Sequence, residues 1–333
     1  MRYRVAVSKF KKEYQDELRE LQNVVEKIKF TPIMRLGENF VEGLTDIRFM
    51  FQLPNIVLMH SIVHSEALIE GLEVCSKYAQ DGDIEAVDTE TLLGELRDKL
   101  AKTPLIKDRK MEDRYKQLAT PVGVLWSDVE LERILRLHTQ HGRSYYNLLY
   151  SGIVWVWTLF EVFAADLWET TLNMGFNILG KAALKRMAKM DALTAFEDKM
   201  RGKSIRVDYL AEFDYNIRDN VGSILKRYFD FSSLSGIKNA YKFVFPKSVT
   251  LEKSLGNDTL RLLSEDRNLI VHKAGYIDAK YKSMTNTTQN VGDKLLIDGE
   301  ICEGYETTVL KVFRYMLNCA NRYLKLDSEL SES

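Results

Sequence analysis

The chain has 333 residues, with 47 Lys and Arg against 48 Asp and Glu, a formal charge of −1 and a pI near 6.6. That balance excludes a globally basic nucleic-acid binder, so any contact with RNA or DNA has to come from a local patch. Three widely spaced cysteines (Cys75, Cys302 and Cys319) and an N-terminus without an apolar leader point to reduced thiols and a cytoplasmic location. With only 5 prolines and long runs of helix-favouring residues, the expected class is mainly α.

In chain order, residues 8–30 predict a helix, with Phe10, Tyr14, Leu18, Leu21, Val25 and Ile28 on one face. Pro32 is expected to stop it. A second apolar stretch covers 40–53, a third helix 55–79 and a fourth the leucines from Leu92 to Leu100. Residues 102–120 are the most polar part and are expected to link an N-terminal helical domain, 1–120, to a second helical domain, 127–326.

Ser127 and Asp128 offer an N-cap to a long helix reaching about Met174, with Gly152 a candidate bend. Its run 153–165 is apolar but interrupted by Glu161, which suggests a buried core helix rather than a bilayer span. Trp155, Trp157 and Trp168 are expected in the core, and Glu161 and Asp166 need partners there. Residues 180–206 are locally basic. Helices follow over 207–229 and 233–245, and Asn257 or Asp258 caps another. Residues 276–298 read as turns with a short strand at 291–297, 305–326 as the last amphipathic helix, and the tail as disordered.

The chemistry concentrates in 265–278, EDRNLIVHKAGYID. On a helix from 259 to 273, Arg261, Ser264, Glu265, Asn268 and His272 share a polar face, opposite Leu262, Leu263, Leu269 and Ile270. His272 falls in the last turn, among unpaired carbonyls that favour a cation. A histidine can act as general base and then general acid. Arg267 suits a phosphate and the charge developing on it, and Asn268 can orient a ligand or the imidazole. Together they suit metal-independent phosphodiester cleavage. Arg267 lies well round the helix from His272, so convergence needs its long arm or a second copy of the chain. The same residues have a plainer use, which their chemistry alone favours. Arg267 is suited to pairing with Glu161 or Asp166, and His272 to capping its own helix.

Glu265, Arg267, Asn268, Val271, His272, Gly275, Asp278 and Tyr281 form E-x-RN-x-x-VH-x-x-G-x-x-D-x-x-Y, which resembles the signature of HEPN domains of bacterial conflict systems. With the aromatic helix before it and the closing helix after it, the resemblance covers about 127–325. It implies an antiparallel helical bundle that dimerises and joins two motifs in one cleft. Many such domains are metal-independent endoribonucleases of toxin–antitoxin, abortive-infection or antiviral systems; others are non-catalytic modules binding a protein, RNA or nucleotide. Arg267 and His272 match the family's catalytic pair, Asn268 the polar residue following the Arg, and Glu161 an acid in an earlier helix by position only. The expected partners are RNA, a second copy and an antitoxin or other defence protein, with no membrane, metal or cofactor.

Lys185 and Arg186 in the basic stretch, and Lys273 beside the motif, are candidate RNA contacts; a solvated helical face is the alternative. His60 and His64, four apart, read as core or subunit-contact residues rather than a metal pair, and His138 and His141 as solvated or interface residues. No glycine-rich phosphate loop and no serine or cysteine nucleophile is evident.

Overall fold

A computed structural model describes residues 10–51, 139–190, 207–245 and 248–332. The chain is mainly α, and the described residues contain no strand; Tyr276 and Lys294 form one isolated antiparallel bridge. The chain divides into two compact units, Met1–Ser8 with Phe51–Tyr145, and Lys9–Met50 with Tyr146–Ser333. The described residues lie almost wholly in the second. His60, His64, His138, the side chain of His141, the linker at 102–120 and the basic residues from 191 to 206 fall outside them.

The helices are α1 (Phe10–Glu26), α2 (31–51), α3 (Thr139–Met174), α4 (Lys181–Met190), α5 (Val207–Ala211), α6 (Ile217–Lys226), α7 (Leu234–Val244), α8 (Val249–Leu255), α9 (Asp258–Lys273), α10 (Ala279–Thr285) and α11 (Gly299–Glu332). A π-helical turn, Phe176–Gly180, joins α3 to α4.

Helix α1 buries the face its spacing predicts: Tyr14, Leu21 and Val25 are all covered, and α1 lies along α11. Phe40 of α2 stacks on Phe313 of α11, with ring centroids 3.8 Å apart. The unit therefore draws in residues 9–50, and a division at residue 120 does not describe it. The physical reason is that α1 and α2 find their apolar partner more than 250 residues downstream, a pairing no local composition shift can signal. Pro32 opens α2 rather than merely closing α1, because a first-turn proline loses no helical hydrogen bond.

Helix α3 is the central element. Trp157, Phe160, Ala164 and Trp168 are buried, whereas Trp155 is 63% exposed and does not join the core. The apolar stretch is longer than the run 153–165. The segment Tyr145–Met174 is long and apolar enough to cross a membrane by length and composition, and 50% of its apolar window is buried inside the fold. The helix runs unbroken through Gly152. Asp166 and Glu169 receive Lys226 at 3.1 and 2.8 Å.

Other boundaries shift for local reasons. Left-handed Asp214 and Tyr215 break the expected helix 207–229 into α5 and α6, with Asn216 capping the second. Of the two expected caps of α9 it is Asn257 that accepts from the first-turn amides, and Ser233 does the same for α7. Residues 276–298 contain α10, capped by Asp278, and no strand at 291–297. The tail expected to be disordered is helical to Glu332. Asp327 is buried there and accepts a hydrogen bond from the Ile178 amide of the π turn.

Candidate functional site

The residues of the motif separate into those that hold the end of α9 and those that do not. Helix α9 ends where Ala274 turns left-handed at φ 50° and Gly275 follows at φ 78°, both amides bonding to the Leu269 carbonyl. Tyr150 of α3 closes over this turn. Its hydroxyl donates to the Leu295 carbonyl at 2.7 Å, and a Cβ on Gly275 would stand 2.7 Å from its ring. Gly275 and Leu295 are also joined backbone to backbone, at 2.8 Å. Changing Gly275 to Ala is expected to cost about 1–3 kcal/mol, because it adds both backbone strain and a clash. A lowered melting temperature would register this; an unchanged one would show that Tyr150 can withdraw freely.

Asp278 and Tyr281 belong to the scaffold too. Asp278 accepts from the Tyr281 amide at 2.8 Å as the α10 N-cap. The Tyr281 hydroxyl donates to Asp266 at 2.6 Å, and the Tyr305 hydroxyl donates to the other carboxylate oxygen at 2.5 Å. Asp266 is 3% exposed, and burial raises its pKa against the pull of the two phenols. The buried stripe of α9 accordingly contains Ser264 and Asp266, while Leu262 and Ile270 are only half-buried. Sequence reasoning missed Asp266 because it sits in a charged run, between Glu265 and Arg267, that reads as a solvated face. The only signal was a tyrosine three residues beyond a capping Asp.

The adjacent Arg267 points to α3. Its Nη2 lies 4.0 Å from Glu161 Oε2, and its Nη1 donates to Asn268 Oδ1 at 3.2 Å. The pair is not closed: Glu161 Oε2 and Arg267 Nε are buried and neither has a hydrogen-bond partner among the described residues. Burial raises the Glu161 pKa, an effect that the Arg267 charge and the Trp157 indole only partly offset and that Asp230 reinforces. A 4.0 Å separation is beyond hydrogen-bonding reach, so the guanidinium is steered by the carboxylate without being consumed by it. The plainer pairing of Arg267 with Glu161 is thus present, in a loose form.

His272 is exposed in the last turn of α9, with no hydrogen bond or ion pair among the described residues. Five residues from Arg267 at 100° per residue, it points about 140° away round the helix. One chain therefore brings Arg267, Asn268 and Glu161 together and leaves His272 apart. Lys273 and Lys185 are exposed. Arg186 is committed elsewhere: its guanidinium donates to the carbonyls of Phe243 and Val244, filling the open end of α7. Helix α4, which carries Lys185 and Arg186, packs on the π turn and α7.

Cys302 and Cys319 are buried free thiols. Among the described residues no group of three or more His, Cys, Asp or Glu side chains is arranged to hold a metal. Against known protein families, curated proteins and solved structures, the chain has no match.

Proposed function

We propose that the chain is a metal-independent endoribonuclease of the HEPN type, acting in the cytoplasm within a bacterial defence or toxin system. His272 removes the proton from an RNA 2′-hydroxyl, and the oxygen attacks the neighbouring phosphorus. The bond to the 5′-oxygen breaks, that oxygen takes the proton back, and a 2′,3′-cyclic phosphate remains. Arg267 holds the phosphate and the charge that builds on it, Asn268 orients the guanidinium, and Glu161 positions it from α3. The observation that carries this reading is the open pair. Arg267 is held 4.0 Å from Glu161, outside hydrogen-bonding reach, and keeps 21% of its side chain exposed, so part of the guanidinium is open to a phosphate. Because His272 diverges from Arg267 within one chain, the reaction is assigned to a homodimer that sets the two groups across a shared cleft. Lys185 and Lys273 are the candidate RNA contacts, and an antitoxin or other defence protein is the candidate regulator.

The expected result is that purified protein in excess chelator cuts RNA, leaves cyclic phosphate ends and spares an all-DNA strand, which lacks the attacking hydroxyl. Cleavage that requires added metal, or that extends to DNA, overturns the reading. A second reading rests on the Arg267–Glu161 contact itself, which serves equally in a non-catalytic module that binds a protein, RNA or nucleotide. RNA bound without being cut would favour it.

A further inference from the structure

Tyr276 is 53% exposed, yet the chain on both sides of it is fixed. Its own amide donates to the Lys273 carbonyl at 3.0 Å, which places it one tight turn beyond the end of α9. The Gly275 carbonyl accepts from the Leu295 amide at 2.8 Å, and the Ile277 amide donates to the Asp293 carbonyl at 2.9 Å. Those two bonds flank the bridge between Tyr276 and Lys294 and make it a non-hydrogen-bonded antiparallel pair, the kind whose opposed side chains stand closest. Gly275 and Ile277 are buried and Tyr276 between them is exposed, the alternation of an extended chain. Gln289 braces the facing segment, donating to the Lys294 carbonyl and accepting from the Leu296 amide, both at 3.2 Å. The phenol ring is therefore held out into solvent by a pinned backbone.

Lys294 is the cation of this pair. Its Nζ lies 5.7 Å from the centre of the Tyr276 ring and 5.5 Å from that of Tyr150, and it meets no carboxylate among the described residues. Asp293, its neighbour in sequence, accepts from the Asn290 amide at 3.1 Å instead. Lys273, on the other side of the turn, is exposed. His272 is four residues from Tyr276, so their Cα atoms stand at most ~14 Å apart, and the turn between them shortens that distance. An exposed ring with an unpaired ammonium beside it is the combination that holds single-stranded nucleic acid: the ring stacks on a base and the cation takes a phosphate.

We propose that Tyr276 is a base-stacking residue with Lys294 as its phosphate contact, so that the RNA reaching His272 is a single strand with an unpaired base laid on the Tyr276 ring. The inference rests on the nuclease reading of His272 and adds the form of RNA that the site takes. Stacking needs a free base face, which a duplex lacks except at its ends, so paired RNA is a poor substrate. Every base has such a face, so this contact selects unpaired RNA with little preference for sequence.

Fluorescence anisotropy of the full chain with a labelled single strand of about ten nucleotides, 2′-fluoro at every position so that it cannot be cut, tests this without relying on cleavage. Tyr276→Ala should weaken binding about five- to 150-fold, the worth of one stacked base, and Tyr276→Phe should retain it. Tyr276→Leu keeps bulk without a flat ring and should behave like Tyr276→Ala, and all three should melt like the unchanged chain. Abasic nucleotides in the strand should erase the difference between Tyr276→Ala and the unchanged chain, which a merely structural role would not do. Lys294→Met should make the fall of log affinity with log salt shallower by about 0.7. Absence of binding at about 100 μM overturns the proposal, as does equal affinity in Tyr276→Ala or Tyr276→Leu. So does a duplex of the same sequence binding as tightly as the single strand. Weakened binding that follows loss of the dimer in sedimentation overturns it in favour of a subunit contact. RNA cleavage with strand binding indifferent to Tyr276 removes this inference alone; Tyr276-dependent binding without cleavage of ordinary RNA removes the nuclease reading alone.

Discussion

His272→Ala abolishes RNA cleavage and leaves the fold intact: that is the expected result with the largest functional effect. Removing a general acid–base group lowers a rate by roughly 100- to 10,000-fold. His272 is exposed and has no partner among the described residues, so the structural cost is limited to its interaction with the end of α9, about 0.3–1 kcal/mol. Arg267 does not offer so clean a test. Its loss leaves Glu161 half-buried without a cation and removes a charge that opposes the burial-driven rise in its pKa. A Glu161→Gln change is the better companion. If Glu161 only positions Arg267, cleavage falls modestly and the melting temperature holds. Gel-based cleavage of a uniform RNA, alongside thermal melts of each variant, checks all of this. Full activity in the His272 variant would remove the imidazole from the mechanism.

Arg48→Met destabilises the bundle by about 3–5 kcal/mol, the cost of leaving buried carboxylates without their cation. Arg48 of α2 reaches Glu303 at 2.7 Å and Glu306 at 3.0 Å on α11, and its guanidinium lies 3.8 Å from the centre of the Tyr14 ring. One cation serves two acids there, and Glu306 is 2% exposed with Oε1 unpartnered. Burial, reinforced by Glu303 and opposed by Arg48, pushes the Glu306 pKa up to about 8 from 4.5. A carboxyl whose folded pKa is raised contributes stability below its unfolded value, and that contribution disappears as pH climbs through the folded value. The unchanged protein is therefore expected to lose stability between about pH 4.5 and 8 through this group. The Arg48→Met penalty should be larger at pH 9 than at pH 6, where Glu306 can hold a proton. Glu306→Gln should flatten the pH dependence. Denaturant titrations at the two pH values measure both effects; a penalty independent of pH would show that Glu303, not Glu306, carries it.

The α-helical class, the Asn257 cap and the core tryptophans Trp157 and Trp168 were legible because each rests on local chemistry or period. Three other features were not. Trp155 sits outside the core because it lies on the face of α3 opposite the buried Phe160 and Ala164. The last turns of α11 are ordered by Asp327, whose partner amide is 149 residues away. Asp266 is buried by two tyrosines from elements that follow it. The motif itself was readable as a pattern, but its division of labour was not. Gly275, Asp278 and Tyr281 hold the end of α9 in place, whereas Arg267, Asn268 and His272 take no part in that turn.

The first helix is bound to the last across almost the whole chain: Glu17 of α1 takes Arg314 of α11 at 2.8 Å, 297 residues apart. Synthesis runs in the opposite order to need. The apolar stripe of Tyr14, Leu21 and Val25 is made well before α11 and waits for that partner until α11 has been synthesised. Closing such a distant contact is slow, and the waiting surface is sticky.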